Sequence, residues 1–223
     1  MKKPEAILFD LDGVLINSEP KNRMIWIEVA KNIGIKLKDE QIESLKGMRR
    51  TDCAKKILDI AESNLSLSEI LLIHQPIFKK YMLDIDLIEG SEKVINICHS
   101  KNIPIGLVTS SSENSFQIKA SKYPFLKSFQ TNIFGDNKLL KEGKPYPYPY
   151  LLGAKELRIN PSNCWVIEDS ISGANAAIRA NCVVWIYDSK NIINKNEIDN
   201  NAQDVNFIGN LDSLYKVINS FRT

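Results

Sequence analysis

The 223 residues, 43% hydrophobic and 25% charged, have the composition of an ordinary soluble globular chain, long enough for one domain with an insertion or for two small domains. Lys and Arg number 29 against 27 Asp and Glu; that net charge of +2, with no local basic cluster, argues against a nucleic-acid or membrane-surface partner. Four widely spaced cysteines with no C-x-x-C pair suggest neither a disulfide framework nor a zinc site, and the apolar run in "MKKPEAILFD" is too short for a signal peptide, so a cytoplasmic location is expected.

In chain order, Ala6–Phe9 is a continuous apolar run of the kind buried on both faces of a sheet, and Asp10, Asp12 and Gly13 follow it. From about Pro20 to Asp84 there is only helical periodicity: "MIWIEVAKNIGI", "QIESLKG", "CAKKILDIA" and "LSEILLIHQPIFKKYML". A helical insertion between the first and second strands is expected there, with Trp26, Ile27 and Ile33 in its core. His74 and His99 lack ligand-spaced partners and read as ordinary surface or internally satisfied histidines.

Beyond the insertion the pattern alternates. A helix at Gly90–Ser100 precedes a strand at Ile103–Val108; a strand at Cys164–Ile167, a helix at Gly173–Ala180 and a strand at Val183–Tyr187 follow later. Alternation of this kind predicts right-handed βαβ units and a parallel α/β sheet. Ser189–Val205 is polar and Asn-rich and reads as loop, and "LDSLYKVINSF" is a last amphipathic helix.

Ligands of open parallel sheets bind outside the carboxyl ends of the strands. Asp10 and Asp12 follow the first strand, Thr109-Ser110-Ser111 the second, and Glu168-Asp169 the run "CWVI", so all three groups converge on one edge. Crowded carboxylates are tolerated where a hard cation sits among them or where some are protonated, and Mg²⁺ is the obvious candidate. A hydroxyl turn such as Thr109-Ser110 and a lysine such as Lys144 would then hold phosphate oxygens. Asp10, nearest the strand, is the expected nucleophile, forming an aspartyl-phosphate. Asp12, two residues on, would protonate the leaving group and then activate water, with Gly13 allowing the tight turn.

Four ordered motifs, "FDLDGVLINSE" (Phe9–Glu19), "LVTSSS" (Leu107–Ser112), "GKPYPYPYL" (Gly143–Leu151) and "VIEDSISGANAAIRA" (Val166–Ala180), resemble the haloacid dehalogenase superfamily of phosphohydrolases. The likeness is to the capped subgroup that includes beta-phosphoglucomutase and small sugar-phosphate phosphatases. It implies a Rossmann-like parallel-sheet catalytic core over residues 1–18 and 85–223, with a helical cap over 19–84 inserted after the first strand. It implies Asp10 as nucleophile and metal ligand, Asp12 as acid/base and as metal ligand through its carbonyl, and Glu168 with Asp169 as the acidic metal pair. Thr109, Ser110 and Lys144 would bind phosphate, and Arg50, ahead of Arg49, would reach the substrate from the "LKGMRR" loop.

The resemblance thus implies a Mg²⁺-dependent phosphatase of a small phosphorylated metabolite, a sugar, polyol or nucleoside phosphate, acting as a monomer or small homo-oligomer. A beta-phosphoglucomutase-like phosphomutase is the alternative. Asn22 stands where that mutase carries a cap histidine, which weakens the alternative. A receiver-type signalling module also uses clustered aspartates, but the helical insertion and the Glu168-Asp169 pair speak against it.

Simpler roles stand beside these. "TSSSE" can be a capping box from Ser110 to Glu113, Glu168-Asp169 can cap the following helix, and "GKPYPYPY" can be a polyproline II segment. A P-loop is excluded, because Pro145 follows Gly143-Lys144 where Ser or Thr is required.

Overall fold

The computed structural model describes residues 2–45, 48, 50–199 and 204–221. Two compact units emerge, one formed by Met1–Ile16 with Leu87–Thr223 and the other by Asn17–Asp86.

The chain starts in the first unit with β1 (Ala6–Phe9) and crosses to the second, which holds α1 (Glu19–Asn32), α2 (Asp39–Glu43), α3 (Arg50–Ile60) and α4 (Leu67–Met82). It returns through α5 (Ser91–Ser100), β2 (Ile105–Val108), α6 (Glu113–Ala120), β3 (Thr131–Ile133) and α7 (Tyr148–Glu156). The remainder is β4 (Cys164–Glu168), α8 (Ile171–Arg179), β5 (Val183–Tyr187), β6 (Val205–Ile208) and α9 (Leu211–Ser220). The fold is therefore α/β, a Rossmann-like parallel sheet with a helical insertion after the first strand, as expected.

The six described strands lie in the order β3-β2-β1-β4-β5-β6, and every neighbouring pair is parallel. Strand order runs outward from β1 on one side and from β4 on the other, so the switch point falls between β1 and β4. That is where a doubly wound sheet opens its ligand crevice. β1, β2 and β4 are buried along their whole length, which is why they read as unbroken apolar runs and not as alternating ones.

Side chains of each strand alternate between two covered faces. Ala6, Leu8, Val166 and Val184 pack with Tyr150 and Ala154 of α7 and with Ala174 and Ala177 of α8. On the other side Trp165 meets Trp185 (centroids 4.9 Å apart) and Phe221 (5.8 Å).

Two strands escaped the sequence reading. β3 has only three residues, and β6, at the sheet edge, is only partly buried, so neither shows a continuous apolar run. The stretch read as loop up to Val205 gives way to β6 at that residue, although residues 200–203 lie outside the described ones.

In the helical unit α1 packs along α4. Glu28 accepts from Lys80 Nζ (3.0 and 3.1 Å) and from the Tyr81 hydroxyl (2.6 Å). Ser66 and Glu69 form a reciprocal capping box at the start of α4. Trp26 is buried as expected, but Ile27 is 41% exposed and Ile33 half-buried. The buried stripe of α1 runs through Ile25, Trp26, Val29 and Ala30, and at 3.6 residues per turn Ile27 projects off that stripe. His74 is buried against the rings of Trp26 (4.6 Å) and Phe78 (5.6 Å). Burial, followed by the charge of Arg50, lowers it to about 4 and keeps the imidazole neutral. Among the described residues no helix is long and apolar enough to cross a membrane.

Candidate active site

Asp10 continues the sheet ladder past the end of β1. Its N–H donates to the Ile167 carbonyl (3.0 Å), so its backbone is placed by β4 as well as by its own strand. The side chain is 9% exposed, and Oδ1 accepts from Lys144 Nζ at 2.5 Å. The same ammonium donates to Glu168 Oε1 (2.5 Å) and to the Val108 carbonyl (3.0 Å). A lysine has three N–H donors, and here each has a partner at the carboxyl end of a different central strand, Asp10 just past β1, Val108 ending β2 and Glu168 ending β4.

Lys144 is brought there by the proline-rich stretch. Pro147 caps α7 and Pro149 lies in its first turn, where a missing N–H costs nothing, so the segment feeds straight into the helix. The stretch that can be read as a polyproline II segment thus turns into a helix at Tyr148, which places Tyr150 in the core, completely buried, with its hydroxyl donating to Glu168 Oε1 (2.7 Å).

Glu168 has both oxygens filled. Oε1 receives Lys144 and Tyr150, while Oε2 receives the N–H groups of Asp169 (3.1 Å) and Ser170 (3.2 Å) and the Ser170 hydroxyl (2.9 Å). With its lone pairs turned to protein donors, Glu168 serves as the anchor for Lys144 and for the start of α8. Ser170, not Glu168 or Asp169, is the N-cap of α8, its hydroxyl accepting from Gly173 N at 3.0 Å.

Two glycines make room for these acids. A Cβ on Gly173 would lie 1.8 Å from Glu168 Oε1, and one on Gly13 would lie 1.8 Å from Asp169 Oδ2. Gly13 also has a φ of +91°, which a side chain rarely adopts. Gly173→Ala separates packing from helix propensity. Alanine favours the helix by about 1 kcal/mol, but displacing Glu168 breaks its bonds, and overpacking alone costs about 1–3 kcal/mol. The expected result is net destabilisation, a melting temperature lower by about 5 °C, together with reduced activity; an unchanged or higher melting temperature would show that Glu168 yields freely.

Asp12 has different company. Its Oδ1 and Oδ2 both accept from Lys119 Nζ (2.6 and 2.8 Å), and Oδ2 also accepts from the Ser111 hydroxyl (2.8 Å). Thr109, buried, donates its N–H to the Ile133 carbonyl (2.9 Å), and its hydroxyl accepts from Ser111 N (3.1 Å). That turn occupies 109–111, so α6 begins at Glu113 with Ser112 as its N-cap, accepting from Ser115 N. The expected Ser110–Glu113 box is not what caps the helix, and Ser110 is exposed.

Electrostatics at this edge are unbalanced toward negative charge. Burial raises Asp10 to about 7 against the pull of Lys144, with Glu168 and Asp12 pushing further. Burial, then Glu168 and Asp10, raise Asp169 to about 9. Burial alone would lower Lys144, but Asp10 and Glu168 outweigh it and hold the ammonium above its ordinary range. Burial and the Glu168 carboxylate push Tyr150 well above an ordinary phenol.

Of the expected site residues, Asp10, Lys144 and Glu168 form one bonded cluster, and the charges of Asp12 and Asp169 act on it. Thr109 and Ser110 lie in the turn whose Ser111 bonds Asp12. Arg50 is exposed at the start of α3 in the helical unit, and Arg49, with Lys46 and Gly47, lies outside the described residues. Lys119, Ser111 and Tyr150 were missed as site residues. Their partners are 107, 99 and 18 residues away in sequence; Ser111 and Tyr150 lay within motifs, and Lys119 lay in none.

A carboxylate aligned by one lysine at a sheet edge can attack an electrophile, and a second on a separate lysine can handle a proton. Comparisons with known proteins fit this arrangement. A family model for haloacid dehalogenase-like hydrolases matches residues 4–181. A phosphorylated carbohydrates phosphatase from Thermotoga maritima is 30% identical over 176 residues, 78% of this chain and 80% of the relative. A bifunctional riboflavin kinase/FMN phosphatase from Arabidopsis thaliana is 28% identical over 175 residues; the match covers 78% of this chain and only 46% of that longer relative. The crystal structure of beta-phosphoglucomutase from Clostridium difficile is similar with a TM-score of 0.71 and 26% identity, covering 97% of each chain. The chain belongs to the haloacid dehalogenase-like hydrolases.

Proposed function

We propose that this hydrolase is a phosphatase of small phosphomonoesters, a sugar, polyol or nucleoside phosphate, working through an aspartyl-phosphate on Asp10 with Mg²⁺ as cofactor. The observation that carries the reading is Asp10 itself: a buried carboxylate at the switch point of the sheet, aligned by Lys144, with a second carboxylate two residues on that has its own lysine.

The donor set suits the cation. Burial first, then the neighbouring carboxylates, raise both Asp10 and Asp169 against the pull of Lys144, a penalty that a bound cation would offset. Among the described residues no three His, Cys, Asp or Glu side chains stand ready as a metal cluster. Mg²⁺ commonly takes one or two carboxylates and fills its other positions with carbonyls, waters and phosphate oxygens, so it does not need three. The side chains of Asp10 and Asp169 and the Asp12 carbonyl would hold it, with Glu168 supporting the set through Lys144. When bound, the ion would neutralise charge on the transferring phosphoryl group.

The protein's own part follows from the contacts. Asp10 attacks phosphorus in line with the leaving oxygen, and Asp12 supplies that oxygen's proton, then takes one from the water that hydrolyses the aspartyl-phosphate. A phosphate oxygen reaching Lys144 shares or takes over one of its three bonds. Thr109 and Ser110 bind the remaining oxygens, and Arg50 is assigned to substrate choice. A phosphomutase is the second reading, favoured by the likeness to beta-phosphoglucomutase over nearly the full length of both chains. Asn22 of α1, which cannot act as an acid or base, supports the phosphatase.

Phosphate release from a panel of phosphomonoesters, with Mg²⁺ and with chelator, tests the reading. Turnover that needs Mg²⁺ is expected; no turnover, or turnover indifferent to chelator, would sink it, and isomerised sugar phosphate without net phosphate release would establish the mutase.

The raised carboxyls add a pH test. Mg²⁺ must displace their protons, so its apparent Kd is expected to rise roughly tenfold per unit as pH falls from about 9 to about 7, and more steeply below. Folded carboxyls at about 7 and about 9, against an ordinary 3.8, bind more protons than in the unfolded chain. Stability without metal is therefore full below the ordinary value and lost as pH rises through the folded ones. Thermal melts should fall from about pH 6 to about pH 9 in chelator and fall less with saturating Mg²⁺.

A further inference from the structure

Lys119 sits near the C-terminal end of α6, yet its side chain is only 4% exposed, and it ends in a closed triangle. Nζ donates to both Asp12 oxygens (2.6 and 2.8 Å) and to Ser111 Oγ (2.9 Å), while Ser111 Oγ donates to Asp12 Oδ2 (2.8 Å). Helical side chains lean toward the N-terminus of their helix, so this arm runs back along α6 to the Ser111 turn. Burying an ammonium costs several kcal/mol unless it is paired and hydrogen-bonded, and this one is fully paired.

Charge compensation alone would need only proximity. The triangle does more: it engages both Asp12 oxygens and adds a second donor from another direction, leaving the carboxyl one orientation. Asp10 and Asp12 are thereby held by different lysines from different elements, Lys144 ahead of α7 and Lys119 on α6.

Resting on the phosphatase reading above, we infer that Lys119, with Ser111, is a positioning residue that aims the Asp12 carboxyl group at the leaving-group oxygen. In the step it serves, an Asp10 oxygen bonds to phosphorus and the bond from phosphorus to the leaving oxygen breaks. The electron pair stays on that oxygen, which takes the proton of Asp12. An alcohol needs that proton; nitrophenolate leaves without it.

The test compares kcat/KM, which reports the steps up to departure of the leaving group, for p-nitrophenyl phosphate and for a polyol phosphate that the unaltered enzyme hydrolyses. Lys119→Met should lower the polyol value on the order of 100-fold and the nitrophenyl value less than about 3-fold. Ser111→Ala, a milder change that serves also if Lys119→Met does not fold, should shift the ratio in the same direction by roughly tenfold. Equal losses on both substrates, or no loss on either, in a folded variant would overturn the inference and leave Lys119 a structural ion pair. Absence of turnover by the unaltered enzyme would instead count against the phosphatase reading.

Discussion

Asp10→Asn is expected to abolish turnover, lowering kcat by at least about 10³-fold, because an amide oxygen cannot form the phosphoenzyme through which both half-reactions pass. The same change should leave the fold intact. Asn is isosteric, and its Oδ1 can still accept from Lys144, which keeps Glu168 and the Val108 carbonyl as partners. Burial already raises Asp10 to about 7, so a neutral side chain suits the metal-free site better than a charged one above that pH. In chelator at about pH 8 the melting temperature should therefore be unchanged or higher, while the rise caused by Mg²⁺ shrinks. Phosphate release and melts with and without Mg²⁺ read both effects. Residual turnover above about a tenth of the unaltered rate would remove Asp10 from the nucleophile's role.

Lys144→Met should damage both stability and activity. The lysine side chain is 6% exposed between Asp10 and Glu168, themselves 9% and 1% exposed, and methionine fills much of its volume without its charge. Removing one partner of a buried ion pair costs about 3–5 kcal/mol, because the charges left behind are uncompensated. For a chain of this size that is on the order of 10 °C in melting temperature. Losing an aligned cation at the phosphoryl site should lower kcat/KM by roughly 10²–10³-fold.

The sign of the pH dependence separates electrostatics from packing. Without Lys144 nothing opposes the burial and the charge of Glu168 that push Asp10 upward, so its carboxyl takes a proton more readily still. Protonation relieves the repulsion, and the stability lost by the variant should be smaller at about pH 6 than at about pH 9. Melts of both proteins at the two pH values would show it. An equal deficit at both would mean that the lysine acts through its packing alone.

How far the sequence carries such arguments depends on distance along the chain. Asp10 and Asp12 were legible because a buried parallel strand is an unbroken apolar run, and whatever follows it must emerge at the ligand edge. Thr109 and Glu168 were legible for the same reason. Helical periodicity alone revealed the insertion, since α1 to α4 carry no competing strand.

Errors arose where burial departs from these simple patterns. Ile27 is apolar yet lies off the buried stripe of α1. β3 is too short, and β6 too exposed, to form a run. Ser110 has the right chemistry for a cap, but the Thr109–Ser111 turn delays the helix until Ser112 can do it. Adjacency in sequence also hid the different company of Glu168, which bonds Lys144, Tyr150 and the start of α8.

By itself, then, the sequence determined the layered α/β plan, the insertion point and the acids at the carboxyl edge, because strand burial, helix period and residue order are local properties. Only the tertiary structure decided which cation serves which acid. Lys144 and Lys119 come from segments more than a hundred residues beyond Asp10 and Asp12, and nothing in "FQIKA" distinguishes a buried lysine from a solvated one. Their pairing is a consequence of how β1, β2 and β4 stack side by side, which no local pattern encodes.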